Sequence, residues 1–339
     1  MFQRGVSLYS FQEKYYRGEM NLRDCLATAA GFGVSGFEML PDQMLPGYPS
    51  IVYNLDTNFV AQWKDWIAEY NIWPIAFDIY GETKLRKGQI TRDDDLFAEL
   101  IELAKTANTL GFSILRLPFH VPFRVSERLV PYCADHGMKI ASEIHTPYHL
   151  DGERAQQMIE LAVKRGDGTV GLMPDLGIFC ARIPQQVLQD SLRRGGSPEI
   201  TDYLARLYHT NDREDLIARV AAMGGNEIDQ WLAMRLQIDV WSDDDPRLLK
   251  TCAPYIIHIH GKFYQMNDDL EENDVRYPQI MQSLIEAGYQ GYIMSEYEGQ
   301  RLIHGADMGY DEIEQVRRHQ AMLAHYQKSE GHKTAGDVY

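Results

Sequence analysis

Glu143, Asp175, His260 and Glu296 each stand at the end of a short apolar run, and their types suit a metal ion. The runs are Met138–His145 (MKIASEIH), Val170–Leu176 (VGLMPDL), Tyr255–Lys262 (YIIHIHGK) and Gly291–Glu298 (GYIMSEYE). Three carboxylates and one imidazole form a hard to borderline donor set, fit for Mn²⁺ and also for Mg²⁺, Co²⁺ or Zn²⁺. Separations of 32, 85 and 36 residues exclude one helix or loop as the carrier. Four converging strands of one sheet satisfy them, and that pattern points to an enzyme.

Alternate residues of a strand share a face. Glu143 therefore faces the same way as His145, His258 and His260 the same way as Lys262, and Glu296 the same way as Glu298. A charge on an otherwise apolar strand must be compensated, and a dication does so. Lys262 and Arg116 are the alternative partners for any single carboxylate. Position at four strand ends favours the metal. His258 is expected one layer deeper than His260, as a hydrogen-bonded supporting group.

Strand-like and helix-like segments alternate along the chain. The strands are expected at Gly5–Ser10, Val34–Leu40, Trp73–Tyr80, Ser113–Pro118, Lys139–His145, Val170–Leu176, Ile256–Lys262 and Tyr292–Tyr297. Helical patterns lie at Leu22–Ala30, Thr57–Tyr70, Asp93–Leu110, Ser126–His136, Glu153–Arg165, Tyr277–Ala287 and Asp311–Tyr326. Eight such units predict an α/β fold, a closed (β/α)8 TIM barrel. Asn21 is expected to cap the first helix and Gly31 to stop it in the left-handed conformation; Gly111, Gly137, Gly166 and Gly288 mark the same exit later. About 80 residues separate the sixth strand from the seventh, against roughly 30 elsewhere. A long helical insertion, about 183–250, is expected there, with helices near Glu199–Tyr208, Arg213–Met223 and Glu227–Arg235. It either covers the barrel mouth, binds a partner or packs outside. Residues 1–330 then form one domain and 331–339 a polar tail.

The chain has 339 residues and a net charge of −16, from 33 basic and 49 acidic groups. That balance repels phosphate backbones and anionic lipid, so neither nucleic acid nor membrane is an expected partner. No apolar run reaches membrane-spanning length, and the opening MFQRGVSLYSFQEKYY lacks a signal peptide's apolar core. Four scattered cysteines without a Cys-x-x-Cys pair fit reduced thiols, and a cytoplasmic location is expected. Two motifs fail on context. The Gly31–Gly36 stretch matches a dinucleotide fingerprint but follows a helix and enters a strand. His145 and His149 have zinc-helix spacing, yet Pro147 lies between them and Thr146 stands where the glutamate belongs.

The segments SEIHTP, PDLGIF, HIHGKF and SEYEG resemble the xylose-isomerase-like barrels of the sugar-phosphate isomerase/epimerase superfamily across nearly the whole chain. Their Glu–Asp–His–Glu order is its metal signature. The resemblance thus implies Glu143, Asp175, His260 and Glu296 as ligands. The stretches SLYSFQEKYY, LPDQMLPGYP (Leu40–Pro49) and HIHGKFYQM (His258–Met266) are similar to the catalytic subunits of bacterial C-glycoside deglycosidases. Ketose 3-epimerases of the superfamily carry a histidine three residues after the ligand Asp and an arginine six after the ligand His. Ile178 and Met266 stand there instead. That departure weakens simple epimerisation.

The resemblance implies a 3-oxo-C-glycoside substrate, whose C3 carbonyl acidifies the C2 proton. His145 is the expected general base. Collapse of the enediolate expels the aryl group, with His145 or Lys262 as proton donor. Glu38, Asp78, Arg116 and His120, at strand ends, are candidates for holding sugar hydroxyls, and Glu298 for a further substrate contact. Phe179, with Tyr9, Phe11, Phe77, Phe119 and Phe263, is a candidate for stacking an aglycone. A small second (beta) subunit is implied as a partner. A ketose or cyclitol isomerase, epimerase or dehydratase would use the same chemistry, and a non-catalytic sugar-binding subunit would keep only the fold.

Overall fold

A computed structural model of the chain describes residues 1–45, 55–81, 88, 90–118, 120–210, 212–300 and 311–336. Its eight strands are β1 (Gln3–Ser7), β2 (Gly36–Met39), β3 (Trp73–Asp78), β4 (Ile114–Leu117), β5 (Lys139–Ile144), β6 (Val170–Pro174), β7 (Ile259–Phe263) and β8 (Tyr292–Tyr297). They form one parallel sheet in the order β6-β5-β4-β3-β2-β1-β8-β7. Isolated parallel bridges Leu172↔Ile256 and Asp175↔His260, and a bond from Ile257 N to Leu172 O of 2.9 Å, join the two ends. The sheet is thus a nearly closed TIM barrel with helices between its strands.

Local chemistry sets the element ends. Asn21 Oδ1 accepts from Asp24 N (3.1 Å) and Asp24 Oδ2 from Asn21 N (2.9 Å), a reciprocal cap on the helix Leu22–Gly31. Gly31 is the last helical residue rather than its left-handed stop; Gly33, at φ +69°, takes that conformation. The helices Thr57–Tyr70, Asp93–Leu110 and Glu153–Arg165 match the expected bounds. The last helix, Glu312–Gly336, continues past the 330 boundary, so most of the expected tail is helical; 337–339 lie outside the described residues.

Strands covered on both faces must be apolar on both faces. Outside the barrel, Phe37 packs against Trp63 (5.6 Å) and Phe112 (5.7 Å), and Phe77 against Phe112 (5.0 Å). Inside, Ala76, Ile114, Ala141 and Met173 form a buried apolar cluster. All four cysteines are free and buried, and burial pushes the Cys25 and Cys133 thiols up to about 12.

Between β6 and β7 lie the helices Gln185–Arg193, Pro198–Leu207, Leu216–Ala222, Glu227–Gln237 and Leu248–Cys252. This insertion buries Val187, Leu204, Leu216, Val220 and Leu232, which are continuous with the main hydrophobic core of the barrel. It is tied to the residues that follow β5 and β6. Thr146 Oγ1 donates to Val240 O (2.9 Å), Ser242 Oγ to Ile178 O (3.0 Å), and Asp244 N to Ile178 O (2.9 Å). The insertion therefore stands at the C-terminal rim of the barrel, the face where such barrels place their sites.

His319, on the last helix, is fully buried. Its ring stacks on Phe263 at 4.2 Å, and Nδ1 lies 2.6 Å from Ser295 Oγ. Burial lowers its imidazole to about 3. Below the ordinary value of 6.5 the unfolded chain takes up a proton that the folded chain refuses. His319 therefore removes stability as pH falls from about 6.5 towards 3, by at most about 1.4 kcal/mol per unit. Urea unfolding at pH 7.5, 6 and 5 should show a shallower loss with acidification in His319→Gln than in the wild type, by about one proton.

Candidate metal centre

Above the apolar cluster the barrel interior turns polar. Glu38 on β2, Asp78 on β3, Arg116 on β4, Glu143 on β5, Asp175 just after β6, His258 just before β7, His260 and Lys262 on β7, and Glu296 on β8 are all buried. The Asp175↔His260 bridge sets two of the expected ligands side by side across the seam, and the β7–β8 register pairs Lys262 with Glu296.

One ring organises the group. His260 Nδ1 is 3.3 Å from Glu143 Oε1 and 3.4 Å from Glu296 Oε1. Donor atoms of Glu143, Asp175 and His260 lie within 4.8 Å of one another, a spacing that can hold a metal ion. Around them, Arg116 Nη2 donates to Glu143 Oε1 (2.7 Å), and Lys262 Nζ lies 2.6 Å from Asp175 Oδ2, 3.2 Å from Glu298 Oε1 and 3.6 Å from Glu296 Oε2.

Two observations test whether these residues fit a cation. Glu143 Oε2, His260 Nδ1 and Glu296 Oε2 are buried without a hydrogen bond, while Asp175 Oδ2 is met by the Lys262 ammonium at 2.6 Å. In addition, among the described residues, five buried carboxylates (Glu38, Asp78, Glu143, Asp175, Glu296) share this interior with two buried permanent cations, Arg116 and Lys262. The excess of three negative charges must be met by protons, which burial favours on Asp78 and Glu296 and the surrounding carboxylates favour on His260, or by a cation that displaces them. The donor set therefore fits a divalent ion.

The field inside this cluster is strong. Burial opposes the charge on Glu143, but Arg116 overrides it and holds the carboxyl well below its usual value. Burial likewise works to raise Glu38, and the charge of His260 with the bonds from both imidazoles keeps it low. Burial works against a charged His260, yet Glu296 and Glu38 raise it well above 6.5. Burial pushes Glu296 up to about 8 against the pull of His260 and Lys262.

His145 follows β5. The Thr146 carbonyl lies 2.8 Å from its Nδ1, which places the ring proton there. Nε2 then carries the lone pair, 3.9 Å from Asp175 Oδ2, and the side chain is 28% exposed. Arg116 also donates to Tyr80 Oη (2.7 Å) and lies 3.5 Å from Asp78. His120 is exposed, with its ring 5.8 Å from that of Tyr80.

Three expectations need correction or restriction. Both Glu38 oxygens are engaged by imidazoles, Oε1 by His260 Nε2 (2.6 Å) and Oε2 by His258 Nε2 (2.9 Å), rather than left for a sugar. Phe179 is enclosed in the core, because the short 3-10 turn Leu176–Ile178 carries the chain inward; Phe11, Phe77 and Phe263 are core as well. Phe119 and the last four residues of the Leu40–Pro49 run lie outside the described residues. Tyr80 is a site residue that the sequence reading misses, although its place two residues after Asp78, within the expected strand Trp73–Tyr80, is a usable signal; the observed β3 ends at Asp78.

This barrel with its carboxylate–imidazole centre defines a class: residues 26–326 match the xylose isomerase-like TIM barrel family, and the chain belongs to it. Among named relatives, it is 27% identical over 87% of its length to the 3'-dehydrocarminate deglycosidase alpha subunit of a Microbacterium species, covering 88% of that protein. It is 26% identical to a C-glycoside deglycosidase alpha subunit of Arthrobacter globiformis, covering 87% of this chain and 84% of that one. Among solved structures, that of an L-ribulose 3-epimerase superposes with a TM-score of 0.57 at 11% identity, covering 100% of this chain and 99% of that one, a likeness of fold. Among the described residues no helix is long and apolar enough to cross a membrane.

Proposed function

We propose that this chain is the catalytic subunit of a divalent-metal-dependent carbon–carbon lyase that cleaves 3-oxo-C-glycosides, the C-glycoside deglycosidase reaction. The observation that carries the reading is the convergence of Glu143, Asp175 and His260 donor atoms within 4.8 Å, with unbonded buried atoms on Glu143, His260 and Glu296 and His145 Nε2 3.9 Å from Asp175. The named relatives, similar over most of both chains, supply the substrate class.

A divalent cation held by those four residues supplies Lewis acidity to substrate oxygens. The chain does the rest. His145 Nε2 takes the C2 proton, and the electron pair left behind delocalises into the C3 carbonyl as an enediolate. The pair then returns to form a C1=C2 double bond, C3 becomes a carbonyl again, and the C1–aryl bond breaks. The aryl carbon takes a proton, and the aglycone leaves. Lys262 is 2% exposed and ion-paired, so it contributes a fixed positive charge; His145, open to the mouth, returns the proton. Arg116, braced by Glu143 and Tyr80, and Glu298 at the rim are the groups placed for substrate hydroxyls, with His120 further out. Mn²⁺ is the ion we favour, and a small beta subunit the partner, as the relatives' names suggest.

Ile178 and Met266, at the positions where ketose 3-epimerases carry histidine and arginine, are buried apolar side chains, which supports elimination over epimerisation. Incubating the chain, with Mn²⁺ and its partner subunit, with a 3-oxo-C-glucoside should release free aglycone. Turnover of free ketoses without aglycone release would favour an isomerase or epimerase instead.

A further inference from the structure

His260 belongs to two donor clusters at once. Glu143, Asp175 and His260 form one, and Glu38, Asp78 and His260 form a second, each with donor atoms within 4.8 Å. The first lies on the Nδ1 side of the ring, where Glu143 and Glu296 stand. The second lies on the Nε2 side, 2.6 Å from Glu38 Oε1. A neutral imidazole has one lone pair and one N–H, so whatever fixes the proton chooses the cluster.

We propose that Glu38 makes that choice and is a positioning residue for the metal centre. This rests on the reading of the site as a divalent-ion centre. An ionised carboxylate only accepts, so the close Glu38–His260 contact puts the proton on Nε2 and turns the Nδ1 lone pair towards Glu143, Asp175 and Glu296. His258 occupies the other Glu38 oxygen at 2.9 Å and prevents the carboxylate from swinging away. Glu38, His258 and His260 are all fully buried, so no water competes for these bonds. The Nε2-side cluster is correspondingly closed to a cation: both Glu38 oxygens and Nε2 are spent, and Asp78 Oδ1 is its one orphaned carboxylate atom. On the Nδ1 side, Glu143, Glu296 and His260 Nδ1 itself each keep an atom without a hydrogen bond, and Asp175 Oδ2 meets Lys262.

Glu38→Gln is the informative change. An amide offers one acceptor and one donor group, so it cannot accept from both imidazoles, and one ring must change its proton or its orientation. Mn²⁺ binding to the metal-stripped full chain, measured by calorimetry, should weaken about 10–100-fold in Glu38→Gln. Asp78→Asn should bind Mn²⁺ within about threefold of wild type. Long-range proton–nitrogen spectra of histidine-labelled protein loaded with diamagnetic Zn²⁺ should show Nε2–H and no Nδ1–H for His260 in the wild type, and an altered pattern in Glu38→Gln. If Glu38→Gln fails to fold, the wild-type spectrum and Glu38→Asp decide. The shorter carboxylate keeps two acceptors and should restore part of the affinity and the Nε2–H signature. Nδ1–H on His260 of the Zn²⁺-loaded wild type, unchanged affinity in Glu38→Gln, or an Asp78→Asn loss equal to that of Glu143→Gln would overturn the proposal. Absence of Mn²⁺ binding by the wild type would sink the metal reading and this inference together, whereas binding that ignores Glu38 would sink the inference alone.

Discussion

Stripping the protein of divalent ions with a chelator is expected to lower turnover of a 3-oxo-C-glycoside by about 10²–10⁴-fold, and added Mn²⁺ should restore it. The size follows from several kcal/mol of charge stabilisation at about 1.4 kcal/mol per tenfold in rate. The barrel interior explains why no side chain can substitute. Arg116 is committed to Glu143 and Lys262 to Asp175, so the chain's own cations already serve its own carboxylates. Unchanged steady-state rates in protein shown to be metal-free would remove the ion from the chemistry.

Replacing His145 with Gln is expected to lower kcat by about 10²–10⁴-fold while leaving Mn²⁺ content unchanged. The two readouts separate because His145 stands outside the group of orphaned atoms yet within 3.9 Å of Asp175 Oδ2. Glutamine occupies similar space and can still hydrogen-bond, but it cannot take a proton near neutral pH. The Thr146 carbonyl at 2.8 Å orients the ring, so the loss should fall on kcat more than on KM. A variant with wild-type kcat would assign the base to another group; a variant that lost its metal would make His145 a ligand.

Much of the barrel was legible in the sequence because its signals are local. Apolar runs marked all eight strands, with glycines at the helix exits before β2, β4, β5, β6 and β8. The helix Thr57–Tyr70 matched to the residue, with Asp56 Oδ1 accepting from Phe59 N at 2.6 Å as its cap. The helix Gln185–Arg193 was not anticipated, since it starts after Pro184 without a side-chain cap. At the site, alternation along a strand brought His258, His260 and Lys262 into one row. The partner of the two imidazoles could not be read that way. Glu38 lies more than 200 residues away and meets them across the barrel, a relation carried by closure and not by any local pattern. Phe179 shows the same limit: an aromatic next to a ligand has no legible direction until the turn after β6 is built.

The site's central premise is where the ion sits. Anomalous scattering from crystals soaked in Mn²⁺ reads this without reference to substrate or turnover. The expected result is one peak at the barrel centre, within about 2.0–2.4 Å of Glu143, Asp175, Glu296 and Nδ1 of His260. A peak on the Nε2 side between Glu38 and Asp78, or a centre balanced by Lys262 and Arg116 with no peak at all, would contradict it.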